Sequence, residues 1–139
     1  MEIKFSKAEN LAPIIELHKQ LFNEDNQSFF NSIQTRDYYK TFVATHKSIA
    51  IAYCIISEIA GEAEIINIGT VQEYRGKNVA TNLLNYALEN INANVVFLEV
   101  SNTNEPAIKL YKKCGFTEYG IRKNYYGHSD AILMKKQKI

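Results

Sequence analysis

Apolar and polar positions change period several times along this chain, and each change marks an element. Residues 2–5 alternate and predict a first strand. Ile14, Ile15, Leu17, His18, Leu21 and Phe22 then recur at helical spacing. Two starts are open to that helix: Lys7 capped by Ser6, or Asn10 with Ala12-Pro13. His18 is expected on the helix surface rather than in a substrate cleft. The polar run 23–27 breaks the pattern, and a short helix over residues 28–33 follows. Residues 39–45 and 48–57 read as a strand pair around His46-Lys47. The nearly unbroken apolar run from Ile49 to Ile56 puts the second of these at the centre of a sheet. Ala60-Gly61-Glu62 then turns the chain into a strand over residues 63–71.

That strand leads into the stretch around which the chain is organised. The β-branched run Ile65-Ile66-Asn67-Ile68-Gly69-Thr70-Val71 is followed by the polar, basic turn Tyr74-Arg75-Gly76-Lys77-Asn78-Val79-Ala80. Ala80, Leu84 and Leu88 then recur at four-residue spacing, as do Leu83, Ala87 and Ile91, which predicts an amphipathic helix. A helix that starts in such a turn leaves its first N–H groups without partners, and its dipole makes that end an anion site. An ordinary strand-to-helix loop is the alternative. Neither a Walker loop nor a dinucleotide fingerprint is spelled here. Asn92-Ala93-Asn94 ends the helix, and residues 95–100 form a buried strand after a helical crossover, hence parallel to the strand at 63–71. A polar loop at 101–104 precedes a helix begun by Glu105-Pro106-Ala107 and stopped by Gly115. Residues 116–122 and 130–136 form a closing strand pair.

A length of 139 residues suggests one domain. Net charge of +1 argues against bulk attraction to nucleic acid or to an anionic membrane. No apolar run approaches the roughly 20 residues that span a bilayer, and Met1-Glu2-Ile3-Lys4-Phe5 lacks a signal peptide's apolar region. The cytoplasm is the expected compartment. Cys54 and Cys114 read as buried thiols rather than nucleophiles, since no histidine is placed beside either by motif. Three scattered histidines support no metal site.

Two residues carry candidate chemistry. Glu99 interrupts an apolar strand, where a charge is costly to bury. It reads either as a general base kept partly out of water or as an ion-paired residue at a strand edge. Tyr111, on the helix that follows, is either a proton donor for a thiolate leaving group or a core tyrosine.

The turn at 75–80 resembles motif A of the GCN5-related N-acetyltransferases, written Arg/Gln-x-x-Gly-x-Gly/Ala, with Asn78 where the middle glycine stands. Asn tolerates a left-handed backbone better than most residues. The segment from Leu98 to Phe116, above all Asn104-x-x-Ala107-x-x-Leu110-Tyr111-x-x-x-Gly115-Phe116, is similar to motif B of the same family. Arg122-Lys123-Asn124-Tyr125-Tyr126 and Asp130-Ala131-Ile132-Leu133-Met134 resemble the ending of its RimI-type ribosomal-protein alanine N-acetyltransferases, and so does Asn67-Ile68. Two features depart from that branch: the chain has no tryptophan, and Ser101 stands where an arginine is common.

The resemblance implies a mixed α/β fold, with a mostly antiparallel twisted sheet, one splayed parallel strand pair and helices on both faces. It implies acetyl-CoA in the gap between the strands at 63–71 and 95–100. Ile68, Gly69 and Thr70 would offer strand backbone to the pantetheine. Arg75, Gly76, Lys77, Asn78, Val79, Ala80 and Thr81 would hold the pyrophosphate, and Asn104 would touch the coenzyme. Glu99 would be the general base and Tyr111 the general acid of a direct attack by an amine on the thioester. The implied acceptor is the α-amine of a protein N-terminus, with a small amine or a non-catalytic acetyl-CoA sensor as alternatives. A monomer or homodimer is expected.

Overall fold

Seven extended segments pair into one sheet in the computed structural model, which describes residues 2–22 and 27–138. They are β1 (Lys4–Lys7), β2 (Tyr39–His46), β3 (Ile49–Ile59), β4 (Glu62–Thr70), β5 (Val95–Ser101), β6 (Thr117–Arg122) and β7 (Ala131–Gln137). Their order is β1-β2-β3-β4-β5-β7-β6. All neighbours are antiparallel except β4 and β5, which are parallel as the helical crossover requires. The apolar run of β3 lies third in the order, and Ile51 to Ile56 are buried on both faces.

Among the described residues four α-helices cover the two faces: α1 (Ala12–Phe22), α2 (Gln27–Thr35), α3 (Val79–Glu89) and α4 (Glu105–Lys113). Leu83, Leu84, Ala87 and Leu88 of α3 and Tyr111 of α4 pack with Phe42, Cys54, Ile65, Val96 and Leu98 on one face. Ile14 and Leu17 of α1 and Phe30 and Ile33 of α2 pack with Tyr53 and Ile55 on the other.

Pairing of β4 with β5 runs through Glu62↔Val95, Ala63↔Val96 and Glu64↔Phe97 and then stops. Above that point the strands part. Ile55 pairs with Asn67 and Ile56 with Ile65, so Ile66 is an extra residue in β4, a bulge just where the fork opens. The closed end of the fork is stitched by polar groups. Lys138 Nζ donates to Leu88 O at 2.6 Å and Ile91 O at 2.8 Å, at the carbonyl end of α3. Asn94 N donates to Gly61 O, and Asn92 N to Glu58 Oε2, both at 2.8 Å.

Several sequence expectations need correction. The first strand lies at Lys4–Lys7 rather than 2–5, because Ala8 N still bonds Thr41 O and draws the chain along β2. The first helix therefore cannot begin at Lys7. It begins at Ala12, whose N–H is accepted by Asn10 Oδ1 at 3.0 Å, so the later of the two starts is used. The hairpin between β2 and β3 turns at Lys47-Ser48, both left-handed at φ 53° and 67°, one residue beyond the expected pair. The polar break at 23–27 lies, but for Gln27, outside the described residues.

His18 departs most. It is 1% exposed, not a surface histidine. Its Nδ1 lies 2.6 Å from the Tyr53 hydroxyl, which in turn donates to Asn67 Oδ1 at 2.6 Å. The rings of Phe22, Phe30 and Tyr53 stand around it at centroid distances of 4.8, 5.2 and 6.1 Å. A polar ring is tolerated in such an apolar cage because it is hydrogen-bonded.

Candidate active site

The turn after β4 is built from backbone conformations that few residues adopt. Gly76 has φ 76°, and Asn78, the N-cap of α3, sits at φ 62° and ψ 17° in the left-handed region. Asn78 thus performs the backbone task of the glycine it replaces. Its side chain does not cap the helix. Its Oδ1 instead accepts from Lys113 Nζ of α4 at 2.6 Å. The first backbone bond of α3 runs from Asn82 N to Asn78 O, so the amides of Val79, Ala80 and Thr81 have no acceptor within the helix. Arg75 Nε donates to Thr70 O at 3.1 Å and pins the turn to the end of β4.

In front of these amides lies a cavity of about 490 Å³. Ile68, Gly69 and Thr70 of β4 line it, with Arg75, Gly76, Asn78, Val79, Ala80 and Thr81 of the turn and α3, and Asn104 at the start of α4. Of the expected coenzyme contacts Lys77 alone is missing from the wall. Its ammonium lies over the Tyr74 ring, 5.6 Å from the centroid, because the left-handed residues on either side turn it outward. Asn104 caps α4 by accepting from Ala107 N at 3.3 Å.

The wall also contains residues that the sequence did not single out for this role. Leu21 and Phe22, at the end of α1, close one side, and Pro106, Ala107 and Leu110 of α4 close another. Gly69 makes the first contact possible. A Cβ there would stand 2.9 Å from Leu21 Cδ1 and 3.0 Å from Tyr53 Cε1. A side chain there would have to displace the end of Leu21 and the hydrogen-bonded Tyr53 ring. Periodicity shows which face of α1 is apolar but not which strand it crosses.

Glu99 and Tyr111 lie outside the cavity lining and take different environments. The Glu99 side chain is 30% exposed, and Arg122 Nη2 lies 3.4 Å from its Oε1. The ion pair that the sequence left open is therefore present. Tyr111 is 7% exposed, its ring 5.9 Å from that of Phe116 in an edge-on contact. Burial pushes its phenol up, and Cys54, Cys114 and Tyr126 add to the shift, so the group keeps its proton at physiological pH. The two residues share a neighbour. Burial, then the charge of Glu99, then Tyr125, raises the Tyr126 phenol, and Tyr126 in turn raises Tyr111. The hairpin after β6 thus brings Tyr126 within the field of both.

The cysteines take no part. Cys54 is fully buried, and burial pushes its thiol up to about 12. Cys114 is raised by burial too, against the pull of Lys136 and Lys113. A thiol that does not ionise is no nucleophile.

An open fork between parallel strands, with a helix N-terminus at its mouth, defines a protein that binds an elongated, phosphate-bearing cosubstrate. The comparisons with known proteins give that class its family. Residues 6–116 match the model of the acetyltransferase (GNAT) family, and the chain belongs to it. It is an N-acetyltransferase that uses acetyl-CoA.

A [ribosomal protein bS18]-alanine N-acetyltransferase of Salmonella typhimurium is 31% identical over 127 residues, covering 86% of this chain and 84% of that protein. An N-alpha-acetyltransferase of Sulfolobus acidocaldarius is 28% identical over 96% of this chain and 90% of its own. The crystal structure of the ribosomal-protein-S18-alanine N-acetyltransferase from Escherichia coli superposes with a TM-score of 0.88 at 26% identity, covering 98% of this chain and 94% of that one.

The residues around the cavity fit the cosubstrate. Free amides and a helix dipole suit the pyrophosphate, and the apolar wall of Leu21, Phe22, Ala107 and Leu110 suits an uncharged pantetheine arm.

Proposed function

We propose that this enzyme acetylates the α-amine of a protein N-terminus, as the names of its bS18-alanine relatives say of them. The observation that carries the reading is the surround of Glu99. A half-buried carboxylate stands near an exposed aromatic hairpin, Tyr125-Tyr126, with the Tyr126 phenol within the field of its charge. An extended peptide finds there a ring surface to lie on and a base for its terminal amine. A ribosomal-protein acceptor also implies reaction in the cytoplasm.

Acetyl-CoA supplies the acetyl thioester. The amides of Val79, Ala80 and Thr81 and the Arg75 and Gly76 turn hold its pyrophosphate, and the β4 backbone at Ile68, Gly69 and Thr70 aligns its pantetheine. Glu99 takes the proton that the amine must lose. Tyr111 keeps a proton to hand to the departing thiolate.

The α-amine is the acceptor that one carboxylate manages best. Its pKa is about 7.7–8.0 against about 10.4 for lysine, so reaching the neutral form at pH 7 costs roughly 1.4 kcal/mol rather than about 4.6. The test offers acetyl-CoA with an alanine-starting peptide of the small-subunit ribosomal protein, its N-blocked lysine-bearing form, and spermidine. Preference for the free α-amine is expected. Preference for the blocked peptide or for spermidine would overturn the acceptor and leave the family unaffected.

A further inference from the structure

On the face of the sheet that carries Glu99, two charges flank it that the acetyl-transfer step does not use. Strand β5 sends Val96, Leu98 and Val100 into the core, so Phe97, Glu99 and Ser101 point to the opposite face. In the last parallel pair Glu64 of β4 stands opposite Phe97, on the same face as Glu99 and one step below it. From the other side, Arg122 of β6 aligns through Ala131 of β7 with Ser101, one step above. Glu99 therefore sits between a carboxylate and a guanidinium.

The arrangement is specific to each member. Arg122 Nη2 reaches Glu99 Oε1 at 3.4 Å, and its guanidinium carbon lies 5.5 Å from the centroid of the Tyr125 ring, which braces it from the hairpin. The contact uses one carboxylate oxygen, so the other stays available for a proton. Glu64 feels both neighbours. Burial raises its carboxyl, the charge of Glu99 raises it further, and Arg122 pulls it back. The remaining groups around Glu99 are Tyr126 from the hairpin and, on β7, the uncharged Leu133 in direct register. Two residues beyond Leu133, the Lys135 ammonium lies over the Tyr119 ring, 5.3 Å from its centroid.

We propose that Arg122 and Glu64 are opposed positioning residues for Glu99: Arg122 holds its carboxylate in place and favours its charge, and Glu64 works against that charge. The inference rests on Glu99 being the base. Arg122 acts through Glu99 without touching the reacting atoms. The guanidinium fixes the direction in which the carboxylate points, and the second carboxylate faces it with like charge from the other side.

The test is the pH dependence of kcat/KM for the acceptor in Arg122→Gln, Arg122→Lys, Glu64→Gln and Glu99→Gln. Removing the guanidinium should move the acid limb to higher pH by about half a unit, the size expected for a half-exposed pair. Arg122→Lys should restore it. Glu64→Gln should move the limb the other way, and the KM for acetyl-CoA should stay put in all three. A purely structural role cannot produce shifts of opposite sign. Limbs that stay fixed, or move together, overturn the proposal while a disabled Glu99→Gln keeps the base. Full turnover in Glu99→Gln overturns both. Should Arg122→Gln fail to fold, the direction of the Glu64→Gln shift decides.

Discussion

Replacing Tyr53 by Phe removes one oxygen and leaves the ring. That oxygen is the middle of a buried chain, between His18 Nδ1 and Asn67 Oδ1 at 2.6 Å each. The bond lost at Asn67 is worth about 1 kcal/mol net, and burying His18 Nδ1 without the Tyr53 hydroxyl costs about 1–3 kcal/mol. His18, at 1% exposure, cannot turn to bulk water, whereas the partly exposed Asn67 can. The full penalty falls once, on the histidine, and the sum is about 2–4 kcal/mol. For 139 residues the entropy of unfolding is roughly 0.3 kcal/mol per kelvin, so Tm should fall by about 7–14 °C. Thermal unfolding of Tyr53→Phe gives the single value. A cycle with His18→Leu should show coupling of about 0.5–3 kcal/mol. Because α1 carries Leu21 and Phe22 to the cavity, acetyl-CoA affinity should weaken in the same variant. Melting within 2 °C of the parent, as roughly the resolution of such a comparison, would refute a stabilising role for the chain.

Other expectations follow from the site. Gly76→Val places a β-branched residue at φ 76°, where nothing in the protein obstructs it, so calorimetry should show coenzyme affinity lost through backbone strain and the blocked approach of phosphate. Gly69→Ala should cost about 1–3 kcal/mol by overpacking, since the Tyr53 ring it meets is itself held by hydrogen bonds; denaturant unfolding reads this. Glu99→Gln and Tyr111→Phe should each lower kcat by at least about 10²-fold with coenzyme affinity little changed. Cys54, with its thiol pushed up to about 12, should resist alkylation at pH 8 in the folded enzyme and react on unfolding.

What the sequence made legible has a physical pattern. The order strand, turn, helix over 65–91 could be read because period 2, turn residues and period 3.6 follow one another without overlap. Asn78 could be read as a left-handed residue because that preference is local. His18 could not be placed. It lies on the apolar face of α1 with Ile14 and Leu17, which was a signal for burial, but its partner Tyr53 is 35 residues away. Lys77 stands outside the cavity wall for a reason that motif spelling does not carry, since spelling records position and not the direction a side chain takes from a turn. Leu21 and Phe22 were invisible as wall residues for a related reason: their place depends on Gly69 admitting α1 onto β4.

The three-rung junction of β4 and β5 gives the sheet a mechanical character. Strands β1 to β4 form one leaf and β5, β7 and β6 another, and the leaves share a short hinge at Glu62–Glu64 and Val95–Phe97. Lys138, clasping the carbonyls of Leu88 and Ile91, acts as the pin at its base. Spreading the leaves opposes three backbone pairs, that pin and the Asn92 and Asn94 bonds, not a full ladder. Amide exchange at the hinge should therefore be faster than in the central β3, and it should slow when a cosubstrate bridges the leaves from the open side.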